Sequence, residues 1–194
     1  MKELSIENLS KEFGKITIFK NLNLCLSSGK AYFLTDENGS GKTTFFKCLL
    51  NELSYSGKIN DMGYLYAFMP EKPIFPETYK MIDFLKLFYL YDHDETNIKE
   101  LYELINDFNI EQYQNNRLYT LSKGTRQKVA LIKTILMEAD IYLFDEPLSG
   151  LDANSRNIFA GMLNRLIIQD KIIIIATHYY DDYVLLNKEK ITLK

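Results

Sequence analysis

Asn38-Gly39-Ser40-Gly41-Lys42-Thr43-Thr44 is a glycine-rich segment that ends in a lysine and two threonines. Residues of these types at this spacing can hold the phosphates of a nucleotide. Gly39 and Gly41 let the backbone bend so that its N–H groups point at phosphate oxygens. Lys42 puts a full positive charge near the β- and γ-phosphates, and the Thr43 hydroxyl can face Mg²⁺. The flanking elements must aim this loop. Ala31-Tyr32-Phe33-Leu34-Thr35 reads as a buried strand; Thr43 to Leu53 reads as a helix with Phe45, Phe46, Leu49, Leu50 and Leu53 along one side. Strand, loop and helix in that order supply a helix N-terminus, whose unpaired donors and dipole favour an anion.

The usual spacing of such loops places a glycine at position 36, where this chain has Asp36. Aspartate tolerates turn geometry better than most residues. Its charge is the larger concern: a carboxylate on the order of 10 Å from a triphosphate costs about 1 kcal/mol per phosphate charge. The expectation is weakened, not abolished, binding.

Two further constellations accompany the loop. Ile141-Tyr142-Leu143-Phe144-Asp145-Glu146-Pro147 is an apolar strand that ends in adjacent acids. At the carboxyl end of a strand in an open sheet, such residues face the ligand crevice. Asp145 can hold Mg²⁺ through its water shell, and Glu146 can polarise an attacking water. On its own this is equally a strand followed by an acidic turn; the phosphate loop tips it to chemistry. Leu121-Ser122-Lys123-Gly124-Thr125-Arg126-Gln127 places Ser122 where a helix N-cap belongs. It reads either as that cap alone or as a second anion site at a helix N-terminus.

The rest of the chain has the elements such a site needs. Residues 4–9 and 16–26 alternate as half-buried antiparallel strands, with Ile16, Ile18, Leu22, Leu24 and Leu26 on the apolar face. Short strands are expected near Ile59 and over Met62 to Met69. Helices are expected over Met81 to Tyr91, Thr96 to Asn109, Lys123 to Glu138 and around Ile158 to Ile167, and a last core strand over Ile172 to Thr177. Strands that alternate with helices, and are apolar throughout, predict a parallel sheet covered on both faces. At 194 residues, with 46% hydrophobic and 25% charged residues, this is one domain of ordinary globular composition. A net charge of −3 argues against a nucleic-acid partner. Cys25 and Cys48 read as small core residues in a reducing compartment. There is no signal-peptide core, and no apolar run nears the roughly 20 residues that span a bilayer. A cytoplasmic chain is expected, held at a membrane only through a partner.

These motifs, in this order, resemble the nucleotide-binding subunits of ATP-binding cassette (ABC) transporters over nearly the whole chain. Asn38 to Thr44 resembles the Walker A loop, and Ile141 to Glu146 resembles Walker B with its catalytic glutamate. Leu121-Ser122-Lys123-Gly124 is similar to the family signature, Ser149-Gly150-Leu151-Asp152 to the D-loop, and Thr177-His178 to the switch-histidine loop. The resemblance implies an α/β P-loop NTPase core with a parallel sheet, an N-terminal antiparallel β region and a helical subdomain near residues 74–135. It implies ATP and Mg²⁺ as ligands. Phe13 would stack on adenine, and Asp36, Glu37 and the loop to Thr44 would surround the phosphates. Thr43, Asp145 and Glu71 would serve the metal. Lys42, Glu146 and His178 would carry catalysis, His178 by binding the γ-phosphate. Two subunits would pack head to tail as a homodimer, so that Ser122 and Gly124 act on the ATP of the partner subunit.

Two positions depart from the family pattern: Glu71 stands for its Q-loop glutamine and has lost the amide donor, and Lys123 stands for the first signature glycine. Both variants resemble bacterial subunits that export antimicrobial peptides and drugs, which favours export. The helix over Met81 to Tyr91 is apolar on more than one face. Burial on both sides explains that, and so does docking against a membrane permease. The other readings are an ABC-type ATPase not coupled to transport and a degenerate module that senses nucleotide without turnover.

Overall fold

The computed structural model describes residues 2–37, 39–92 and 98–193. Asn38 and the expected helix start at Thr96 lie outside them.

Five strands form the central parallel sheet: β3 (Lys30–Leu34), β5 (Tyr66–Met69), β6 (Ile141–Asp145), β7 (Ile172–Ala176) and β8 (Lys188–Ile191). Their order across the sheet is β5-β6-β7-β3-β8. Side chains of the middle strands alternate between two cores. Tyr142, Phe144, Ile173, Ile175 and Phe33 face the core shared with α2 (Met81–Asp92), α4 (Lys123–Leu136) and α5 (Ala153–Ile168). Ile141, Leu143, Ile172, Ile174 and Leu34 face the other core, with α1 (Lys42–Leu49). Burial on both faces is why these strands read as unbroken apolar runs.

A second, antiparallel sheet covers the α1 side. It pairs β1 (Glu3–Phe13) with β2 (Ile16–Ser27) and β4 (Ser56–Asn60) in the order β2-β1-β4. Here the expected alternation breaks. Asn21 adopts a φ of 52°, and the β1–β2 register shifts between Leu9 and Lys11. One residue of slip inverts the faces of a strand. Phe19 therefore joins Leu22 and Leu26 in the core, while Ile16 is exposed and Ile18 half-buried. Cys25 is exposed as well, against the expectation of a core thiol; Cys48 is buried.

Other boundaries differ for local reasons. The helix of the phosphate loop stops at Leu49, because Asn51 turns left-handed at φ 56°. β5 begins at Tyr66 and not at Met62, since Met62 and Gly63 form a positive-φ turn. α4 ends at Leu136, with Met137 extended. Beyond α2, α3 (Lys99–Asp107) buries Leu101, Leu104 and Ile105. β8 had no clear signal, because Lys188-Glu189-Lys190-Ile191 is a charged edge strand.

Candidate nucleotide site

Four neighbouring strands deliver the site. The loop of Gly39 to Thr44 follows β3, Glu71 follows β5, Asp145 and Glu146 end β6, and Thr177-His178 follow β7. Because β5, β6, β7 and β3 lie side by side and parallel, their carboxyl ends converge on one edge. A cavity of about 250 Å³ opens there, lined by Ile18, Gly39, Gly41, Lys42, Thr43, Thr44, Glu71, Asp145 and Glu146.

The loop owes its shape to its glycines. Gly39 and Gly41 have φ of 80° and 102°, and a Cβ on Gly41 would strike the Ile18 side chain. Lys42 is buried, and its ammonium donates to the carbonyl oxygens of Asp36 and Glu37, the latter at 3.1 Å. The Ser40 hydroxyl is buried without a hydrogen-bond partner. An orphaned hydroxyl beside a lysine and bent backbone donors is a fit for a phosphate.

The acidic side of the cavity is equally specific. Thr43 donates its hydroxyl to Asp145 Oδ2 at 2.7 Å. A hydroxyl and a carboxylate in contact are hard oxygen donors of the kind that suit Mg²⁺. Glu71 is exposed at the same cavity. Burial pushes the Asp145 carboxyl above its ordinary value, and the charge of Glu71 adds to that, against the Thr43 bond and Lys42. Glu146 leaves β6 with a φ of 47°, a left-handed turn that sets its side chain apart from that of Asp145. Its backbone N–H donates to Ala176 at 2.8 Å, which holds the turn against β7. Burial raises the Glu146 pKa first; His178 opposes this and Asp145 reinforces it. Glu146 Oε2 accepts from Thr177 at 3.4 Å, and Oε1 is buried without a hydrogen bond. His178 Nε2 lies 3.5 Å from that oxygen, an ion-pair distance outside hydrogen-bonding geometry.

Ser122 caps α4, accepting from the Thr125 N–H at 3.2 Å. Among the described residues, neither it nor Gly124 lines the cavity at Lys42. Gly124 sits against the Gly150 carbonyl, where a Cβ would be only 3.0 Å away. Gln127 is a residue that spacing alone did not single out as functional. It is buried and donates to the Pro147 carbonyl at 3.1 Å, so the signature helix is tied to the turn after Glu146. Phe13 ends β1 half-exposed, its ring 4.7 Å from the Lys11 ammonium.

Asp36 is arranged differently from the charge-repulsion expectation. Its carboxylate accepts from the Leu193 N–H at 3.1 Å, and among the described residues neither Asp36 nor Glu37 lines the cavity. Asp36 is also not among the positive-φ residues, so the loop does not require glycine there. Asp36→Gly therefore changes ATP affinity by less than about twofold at low salt, in a fluorescent-nucleotide titration. A gain near tenfold that shrinks with added salt would mean that its charge does reach the phosphates.

The geometry suits a nucleotide, and comparison with known proteins gives the family. The family model described as ABC transporter matches residues 19–149. This chain belongs to that family. It is an ATP-binding subunit of an ABC transporter, of a family that hydrolyses ATP. An uncharacterised ABC transporter ATP-binding protein of Methanocaldococcus jannaschii is 30% identical, over 91% of this chain and 68% of its own length. The zinc transport system ATP-binding protein AdcC of Streptococcus pneumoniae is 27% identical, over 92% of this chain and 84% of its own. Among solved structures, an ATP-binding subunit of an ABC transporter superposes with a TM-score of 0.85 at 24% identity, covering 92% of this chain and 80% of that one. The ABC fold is thus shared, with its parallel core and antiparallel N-terminal sheet.

Proposed function

We propose that this ABC subunit drives a separate membrane permease by closing on ATP with a second subunit and reopening after hydrolysis. The observation that carries the reading is the convergence of Lys42, Thr43, Asp145 and Glu146 on one cavity. Lys42 and Ser40 hold the phosphates, with the backbone N–H groups at the start of α1. Thr43 and Asp145 would hold Mg²⁺, with Glu71 beside them; the metal would neutralise charge on the β- and γ-phosphate oxygens. Glu146 accepts the proton of the attacking water as the bond between the γ-phosphorus and the bridging oxygen breaks. His178, adjacent to Glu146, would donate to the γ-phosphate.

Ser122 and Gly124 stand apart from the cavity of their own chain, which is what action on a partner subunit's ATP requires. Closure would then draw on differential affinity: two subunits supply donors in the closed state and one in the open state. A homodimer and a position on the inner face of the membrane follow from the same reading. Export, as the direction of transport, rests only on the resemblance of Glu71 and Lys123 to exporter subunits.

The permease would dock in a groove beside α2. The helix itself is mostly interior: Met81, Ile82, Phe84, Leu85 and Tyr89 are buried. Exposed apolar side chains remain at Ile74 (94%) and Leu87 (56%). Among the described residues, no helix is long and apolar enough to cross a membrane. Ile74→Ser with Leu87→Ser should release the chain from membranes while soluble ATPase activity and melting temperature stay near wild type. A cysteine at position 74 should cross-link to an integral membrane protein in cells. Capture of soluble proteins alone, with no membrane fractionation, would favour an ABC ATPase uncoupled from transport.

A further inference from the structure

Thr177 and Tyr183 bracket the segment that carries His178, and both are buried. The Tyr183 ring is fixed edge-on against Phe33 of β3, with 4.9 Å between centres, and against Phe159 of α5 at 6.4 Å. Its backbone is held too. Lys188 donates to the Tyr183 carbonyl at 2.6 Å, and the ion pair of Arg156 with Asp182 at 2.7 Å ties the preceding residue to α5. In this setting the phenol hydroxyl is buried without a hydrogen-bond partner among the described residues. Such a hydroxyl is costly, and phenylalanine would fill the same space without it.

The Thr177 hydroxyl stands beside the phenol. Burial drives the Tyr183 pKa well upward, so the phenol keeps its proton; Thr177 is the first group to oppose that shift, ahead of the charges of Glu146, Arg156 and Asp182. A threonine hydroxyl has one proton and two lone pairs. The Thr177 proton goes to Glu146 Oε2 at 3.4 Å, and one lone pair accepts from the Tyr179 N–H at 3.1 Å. The second lone pair is the acceptor that the phenol lacks. With Tyr179 and Tyr183 both donating to it, Thr177 has only its proton left to offer, and Glu146 takes it; hydrogen bonds in series strengthen one another. Glu146 Oε1, buried without a hydrogen bond, is then the oxygen left for the proton of water.

We propose that Tyr183 is a positioning residue for Glu146: its phenol donates to Thr177, which commits the Thr177 hydroxyl to Glu146 Oε2 and leaves Oε1 for the attacking water. This rests on the reading of Glu146 as the base, whose own failure shows separately, as turnover retained in Glu146→Gln.

Steady-state MgATP hydrolysis by the full chain is the test. Tyr183→Phe keeps the ring and removes only the hydroxyl. It should lower kcat about tenfold, the worth of one hydrogen bond, with KM for ATP within about twofold and the melting temperature no lower than that of wild type. Thr177→Val should lower kcat by a similar factor or more, whereas Thr177→Ser, which keeps the hydroxyl, should stay within about twofold of wild type. Tyr183→Phe combined with Thr177→Val should be no slower than Thr177→Val alone, because both break one relay. A kcat within about twofold of wild type in Tyr183→Phe overturns the positioning role. So does a loss that multiplies in the double variant. A Tyr183→Phe chain that fails to fold overturns it as well, since the hydroxyl would then serve the fold.

Discussion

Replacing Glu146 with glutamine should leave ATP affinity within about twofold of wild type and lower turnover by about 100-fold or more. The amide is nearly isosteric, so it can still accept from Thr177, as Glu146 Oε2 does at 3.4 Å. What it cannot do is take a proton. Because the turn at φ 47° and the backbone bond to Ala176 do not depend on the side-chain charge, the fold should be unaffected. The same variant should accumulate as an ATP-dependent dimer in light scattering, since bound ATP is no longer consumed. A pH profile adds an independent check. Burial raises the Glu146 pKa, and the base works only when ionised. The kcat/KM of wild type should therefore fall as pH drops through a value above the ordinary carboxylate range, an acid limb that the glutamine variant lacks. Turnover within tenfold of wild type would remove Glu146 as the base.

Lys42→Ala should weaken MgATP binding about 100-fold, the loss of roughly 3 kcal/mol of charge-assisted hydrogen bonding. The Lys42 ammonium donates to the Asp36 and Glu37 carbonyl oxygens. It is buried at the cavity, so no other cation can substitute from solvent. Truncation also leaves those two carbonyls without their donor, which should lower stability by about 1–2 kcal/mol. A nucleotide titration alongside thermal unfolding separates the two effects. A folded variant with unchanged affinity would overturn the phosphate-loop reading.

Much of the site was legible locally. Gly39, Gly41, Lys42 and Thr43 announce themselves because a phosphate cradle is made from consecutive backbone groups, so its chemistry is written in consecutive residues. Asp145 and Glu146 were legible because a fully buried parallel strand shows as an apolar run and its carboxyl end is marked by the first acids. The family resemblance then ordered the remaining motifs. Less was legible where a residue's role depends on what the chain brings to it from far away. Asp36 read as a charge beside phosphates, yet it is bonded to Leu193. The helix over Met81 to Tyr91 read equally as core or as docking surface, and Tyr89 is fully buried because α2 packs on α4. Gln127 carried no signal as a link to Pro147.

The sequence by itself determined the nucleotide chemistry, the parallel α/β core and the family, because each depends on short-range pattern: apolar runs, glycine spacing and the residues that end a strand. Tertiary structure decided which faces were inside and which charges had partners. The bulge at Asn21 put Ile16 on the surface and Phe19 in the core, and the fold brought the Leu193 N–H to the Asp36 carboxylate. Burial and ion pairing are properties of side chains that meet across the fold, and periodicity along the chain does not record which ones meet.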